Sequence, residues 1–122
     1  MERGETTAQA VLAVPVLLLF LLFGIQATLY FHTAQLAALA AQDGAIAGAV
    51  VGGSEVHAIT AAIKSAAEQR ASAGITPVAH LVDGVIEVEV MLRVPSVVPL
   101  FPSSVTRSAS EPMERFVLEV DR

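Results

Sequence analysis

From Thr6 to Gln42 the chain carries no Asp, Glu, Lys or Arg, and within that stretch Ala10 to Phe31 is almost continuously apolar. As a helix, those 22 residues measure about 33 Å at ~1.5 Å per residue, enough to cross the hydrocarbon core of a bilayer. A helix that is apolar on every side must be buried in a large core or in lipid. A chain of 122 residues, 54% hydrophobic and 16% charged, is too small to surround it with protein. The segment therefore reads as a single transmembrane span, interrupted only by Gln26, Thr28 and Tyr30, with Tyr30 and Phe31 at the edge where interfacial aromatics are expected. Ala38-Leu39-Ala40 imitates a small-x-small signal cleavage site, but the apolar run is longer than the roughly 7 to 15 residues of a signal h-region. Arg3 precedes the span and no Lys or Arg follows between Phe31 and Lys64, which puts the N-terminus on the cytoplasmic side.

The same composition removes whole classes of function. A net charge of -5, with the basic residues scattered singly, leaves no electrostatic footprint for nucleic acid. Without cysteine there is no thiol nucleophile, zinc ribbon, iron-sulfur site or disulfide framework. The histidines at 32, 57 and 80 show no metal-ligand spacing, so no metal or cofactor is expected. Glu87 and Glu89 would face one way from a strand, as a catalytic carboxylate pair can, yet charged residues are the ordinary occupants of a solvated strand face. No P-loop, GxGxxG or GxSxG occurs, and nothing supports an enzyme.

Helical character continues past the span, because His32 to Val51 is rich in alanine, lacks proline and spaces Leu36, Leu39, Ile46 and Val50 near a helical period. A helix from Thr7 to Val50 would be roughly 66 Å long, with Gly52-Gly53 ending it. Its outer half carries small residues at every fourth position, Ala40, Gly44, Gly48 and Gly52, beside Ala37, Ala41, Ala45 and Ala49. Such a ridge permits close helix packing. It suits either a neighbouring copy or partner, or the chain's own domain.

Ser54 is placed to cap a second helix over Glu55 to Ala73, with Gly74 as its stop. Val56, Ile59, Ile63 and Ala66 would form the buried face that covers a sheet, opposite His57, Lys64, Glu68 and Ser72. The period then changes to two. Val85 to Val94 alternates, with Ile86, Val88, Val90, Leu92 and Val94 inside and Glu87, Glu89 and Arg93 outside. Asp83-Gly84 is a strong hairpin signal, and a two-residue turn there pairs Leu81 with Ile86 and Ala79 with Val88 inside, and His80 with Glu87 outside. Prolines 95, 99 and 102 exclude a regular element, a third strand fits Val105 to Ser110, and Glu111-Pro112 ends it before a mixed tail from Met113 to Arg122. The expected fold is α+β and membrane-anchored: a long N-terminal transmembrane helix, a second amphipathic helix and a small antiparallel sheet of about three strands. The chain divides into 1–9 as a short cytoplasmic leader, 10–31 as the span, 32–52 as its extracytoplasmic continuation, and 53–122 as a small extracytoplasmic α+β domain leaning on the long helix.

This is the plan of a pilin, and the residues resemble a named family. Arg3-Gly4 followed by Thr6-Thr7-Ala8-Gln9, Pro15 before the leucine run, Gln26, His32-x-x-Gln35, Ala40-Ala41-x-x-Gly44, Val94-Pro95-Ser96 and Ala109-x-x-Pro112-x-Glu114-Arg115-Phe116 are similar to TadE-like pseudopilins of the tight adherence (Tad/Flp) type IV pilus system, most closely the actinobacterial branch. The resemblance implies a minor pseudopilin or pilus-assembly component at the cytoplasmic membrane or cell surface, with other pilins and Tad assembly proteins as partners. It also implies a prepilin peptidase cutting after Gly4, which leaves Glu5 at the new terminus and Gln9 as the fifth residue. Pilin-like proteins commonly carry Glu at that fifth position; Gln9 can hydrogen-bond but forfeits the ion pair with a neighbour's terminal amine. The family's helix often has Arg near Gly44, where this chain has Gln42-Asp43. Two other readings stay open: a single-pass anchored binding module unrelated to pili, and a small domain released after Ala40.

Overall fold

The computed structural model describes residues 2–71 and 74–115. Ser72, Ala73 and the tail beyond Arg115 lie outside the described residues. Helix α1 runs Glu2–Ala49, α2 runs Glu55–Glu68, and strands β1 (Thr76–Val82), β2 (Val85–Arg93) and β3 (Ser104–Pro112) form one antiparallel sheet in the order β1-β2-β3. A long N-terminal apolar helix, a second helix and a three-stranded antiparallel sheet make a pilin-like α+β arrangement.

At 48 residues, α1 is about 72 Å long and starts earlier than the Thr7 expected from sequence. Nothing between Glu2 and Thr7 breaks a helix, acidic Glu5 suits the positive end of its dipole, and the Thr7 hydroxyl donates back to the Arg3 carbonyl at 2.9 Å. Pro15 is accommodated inside it. Its far end closes at Ala49. There Gly52 takes a positive φ of 79°, Gly53 N–H donates to Val50 O at 2.8 Å, and Glu114 N–H reaches Ala49 O at 2.7 Å, so the last carbonyls of α1 are satisfied from both ends of the domain.

Ser54 caps α2 as its position suggests, with extended backbone, its Oγ accepting from His57 N–H and lying 2.8 Å from His57 Nδ1. The helix stops at Glu68 instead of Ala73. Arg70 enters the left-handed region at φ 58°, its N–H donates to Ala67 O at 3.0 Å, and Ala71 N–H donates to Ala66 O at 2.8 Å. These two bonds close the helix end in the pattern that glycine usually serves, so Gly74 is left to a later turn, at φ 74°.

The hairpin follows the expected register: Leu81 pairs with Ile86, His80 with Glu87 and Ala79 with Val88. Asp83 and Gly84 both have positive φ, 51° and 76°, as a two-residue turn with matching twist requires. Alternation along β2 is complete. Ile86, Val88, Val90 and Leu92 are buried while Val85, Glu87, Glu89, Met91 and Arg93 are exposed. Leu81, on the inner face but near the end of an edge strand, remains 47% exposed.

The buried faces of the helices differ from expectation. Of the expected face of α2, Ala66 is buried and Ile59 partly buried, but Val56 is 71% and Ile63 44% exposed, and Ala58, Ala62 and Ser65 complete the packed face with Ala66. The sheet is covered chiefly by α1 over β2 and β3, with α2 lying over β1 and along α1. Ala37, Ala40, Ala41, Ala45 and Ala49 meet Ile86, Val88, Val90 and Leu92 in one core. Because the strand side chains supply the bulk, the helices must supply backbones close enough to touch them, and only small residues allow that.

Candidate functional site: the exposed helix and the Gln26 clasp

From Arg3 to Ile25 every residue of α1 is exposed, including Val11, Leu12, Leu17, Leu18, Phe20 and Leu21. Among the described residues this is one helix long and apolar enough to cross a membrane, with a mean hydropathy of 2.5 and none of its most apolar window buried. Apolar area on this scale has no place in contact with water and calls for lipid or other apolar helices.

The projecting half ends at Gln26, which is 0% exposed. Its Oε1 accepts from Val97 N–H at 2.7 Å and Val98 N–H at 3.2 Å, and its Nε2 donates to Pro95 O at 3.2 Å. One polar side chain in the apolar segment thus holds the β2–β3 connection, roughly seventy residues away in sequence, against the helix. The other two interruptions are also used locally. Thr28 donates back to Gly24 O at 2.9 Å, and Tyr30 packs against a small cluster of Ala34, Val94 and Val105. The sequence marked Gln26 as an interruption but held no signal for its partner, since nothing local distinguishes a clasp from a tolerated amide.

Gln26→Leu leaves two N–H groups and a carbonyl without their partner, a cost of ~1–3 kcal/mol for buried groups. Local opening of the connection should then speed exchange of the Val97 and Val98 amides by roughly 10- to 100-fold, with β2 amides unchanged. Unaltered protection at both positions would mean that Gln26 does not hold the loop.

The other residues singled out from sequence fall into two groups. Gly4, Glu5 and Gln9 lie together near the start of α1, all exposed, with Glu5 and Gln9 one turn apart. The Gly4–Glu5 bond is therefore inside the first helical turns. Ala40, Gly44 and Gly48, by contrast, are buried against the chain's own domain. A Cβ at Gly44 would stand 2.8 Å from the Ala58 carbonyl oxygen and 3.2 Å from Val88 Cγ1, and one at Gly48 would meet Ala58 Cβ at 2.8 Å and Ile86 Cγ1 at 3.0 Å. Gly52, the next step of the ridge, has open space around it. Nearby Asp43 has a local role: its Oδ2 accepts from the buried Ser65 hydroxyl at 2.6 Å, tying α1 to α2. Ala40 sits fully buried in mid-helix, so cleavage there would cut through the core.

A long apolar helix, free over one half and seated on a small sheet and a second helix over the other, is a pilin-like arrangement. Residues 4–45 match the family model of the TadE-like proteins. That match covers about a third of the chain, from the candidate processing site through the exposed segment to the buried ridge. No curated protein and no solved structure matches the chain.

Proposed function

We propose that this protein is a minor pseudopilin or assembly component of a Tad-type, type IV-like pilus or a related secretion machine. It acts by helix packing rather than catalysis. The observation that carries the reading is a coincidence in one element: the segment similar to TadE-like proteins includes the half of α1, Arg3 to Ile25, whose apolar side chains stay exposed among the described residues. In this reading residues 1–9 are a cytoplasmic leader, 10–31 cross the cytoplasmic membrane, 32–52 continue outside it, and 53–122 complete the extracytoplasmic domain on that continuation. The partners are other pilins or pseudopilins and Tad assembly proteins, joined through the exposed half of α1. The order of motifs from Arg3-Gly4 to Glu114-Arg115 favours the actinobacterial branch.

The terminal segment supports processing by a prepilin-type peptidase. Gly4 offers no side chain, its surroundings are open, and fraying of the first turn exposes the Gly4–Glu5 bond. Protein extracted from native membranes should begin at Glu5 by intact-mass measurement. A photo-crosslinking residue at Leu18 should give adducts with other pilin-like subunits in the same cells. An intact Met1 together with no adducts would instead establish a single-pass tether for an unrelated binding module, and a start near Ala41 would establish a released domain.

A further inference from the structure

We propose that the β2–β3 loop, Pro95 to Pro102, is a second membrane contact that inserts into the outer edge of the bilayer beside α1. The proposal rests on reading α1 as the membrane span and adds to it a lipid-facing site in the folded domain.

Position is the first argument. The Phe101 ring lies 5.5 Å from the Phe23 ring, centre to centre, at an interplanar angle of 49°, and Gln26 grips the start of the loop. Phe23 precedes Phe31 by about 12 Å along the helix axis at ~1.5 Å per residue, so the loop lies alongside the apolar segment and not above it. Lipid-exposed irregular backbone is excluded from the hydrocarbon core, so the loop marks the outer boundary itself, and the span beside it is shifted towards the N-terminus and ends near Phe23 instead of Phe31.

Composition is the second argument. Between Arg93 and Arg107 there is no charged residue, and Val97, Pro99 and Leu100 are exposed, with Ser96 the one exposed polar residue between Pro95 and Pro102. Leu100 is 87% exposed, the highest value for any large apolar side chain among the described residues. A water-facing loop tip ordinarily carries small or polar residues.

Backbone satisfaction is the third. At the interfacial boundary, backbone donors already paired within the protein lower the cost of leaving water. Pro95, Pro99 and Pro102 have no N–H to satisfy. Val97 and Val98 donate to Gln26 Oε1, Phe101 N–H donates to Val98 O at 3.4 Å, and Val94 N–H donates to Ser103 O at 2.9 Å across the neck. The Ser96 hydroxyl turns inward to Val98 O at 3.2 Å. A buried amide and three prolines thus leave few donors to oppose contact with the interfacial edge of the bilayer, and the continuity of this surface with the span selects lipid as the occupant.

The chain has no tryptophan, so a single introduced one reports its own surroundings. Full-length Leu100→Trp, Leu12→Trp and Val56→Trp variants are reconstituted in phosphatidylcholine vesicles with and without brominated acyl chains. These positions are 87%, 72% and 71% exposed, so none has packing to lose. Leu12 lies about 16 Å along the axis from Phe23 at ~1.5 Å per residue, deep in the span. The Leu100→Trp emission should shift to the blue and lose intensity with bromine near the head of the acyl chain, Leu12→Trp should be quenched by deeper bromine, and Val56→Trp should respond to neither. Quenching of Leu12→Trp without Leu100→Trp overturns the loop proposal and leaves the span intact. A blue shift of Leu100→Trp without quenching means that protein covers the loop, which overturns it equally. No quenching of Leu12→Trp removes the span, and the loop proposal with it.

Discussion

Gly44→Leu should detach α2 and the sheet from the long helix while leaving the helix able to enter a bilayer. A Cβ at this position already meets the Ala58 carbonyl oxygen at 2.8 Å, with Ala62 Cβ at 3.1 Å and Val88 Cγ1 at 3.2 Å. The first of these is backbone inside α2 and cannot rotate away, so the whole helix must move. Inserting a few carbons into a well-packed core costs typically 1–3 kcal/mol where neighbours can adjust; here, with a branched side chain against main chain, about 3 kcal/mol or more is expected. Gly24→Leu is the control, because nothing lies within 4 Å of a Cβ there. Urea unfolding of the full chain in detergent, followed by exchange of the β2 amides, should show a large loss for Gly44→Leu and little for Gly24→Leu. Equal midpoints would show that α1 and α2 do not pack through Gly44. Any loss of pilus assembly in the Gly44 variant would then follow from a displaced domain, since that ridge is occupied within the molecule.

Val88→Asp and Glu87→Val should separate just as sharply, although the residues are adjacent. Val88 is fully buried, between Ala79 on β1 and Ala109 on β3, and faces Gly44 of α1. A carboxylate there has no partner, so the protein must protonate it or open the sheet, at a cost of several kcal/mol in a domain with little stability to spare. Glu87 is on the outer face opposite His80 and Ser110, and its replacement removes at most a surface interaction of ~0 to 1 kcal/mol. The same unfolding measurement on the full chain checks both. A loss for Glu87→Val as large as that for Val88→Asp would mean that the sheet presents its other face to α1.

The reason these neighbours can be told apart from sequence is that strand periodicity is a local property. Ile86, Val88, Val90 and Leu92 repeat at the two-residue period of a half-buried strand, and Asp83-Gly84 carries the backbone preferences of its turn wherever it occurs. With the turn known, pairing of Ala79 with Val88 follows by counting. Ser54 and Gly52-Gly53 likewise mark the gap between the helices through short-range hydrogen bonding and steric freedom. The uncharged run from Thr6 to Gln42 needs no partner to be read as a helix for an apolar setting.

What sequence could not decide was everything that depends on which surfaces meet. A ridge of Ala40, Gly44 and Gly48 says that something approaches closely, and it says so identically for a second subunit or for the chain's own α2. Hydrophobicity favoured Val56 and Ile63 beside Ala66 as the packed face of α2, yet the close approach of α1 selected Ala58 and Ala62 with Ala66, because large side chains on both helices would have held the backbones apart. Arg70 rather than Gly74 ends α2, where two closing hydrogen bonds offset the strain of a left-handed residue. Gln26 reads alone as a polar blemish in a membrane helix; only the folded chain brings Pro95, Val97 and Val98 to it, since a side-chain amide is specific for backbone groups but carries no address for which segment will supply them. Periodicity, caps and turn chemistry act over a few residues and were therefore legible in the sequence, whereas the identity of a partner surface is a property of three-dimensional fit and was decided by the tertiary structure.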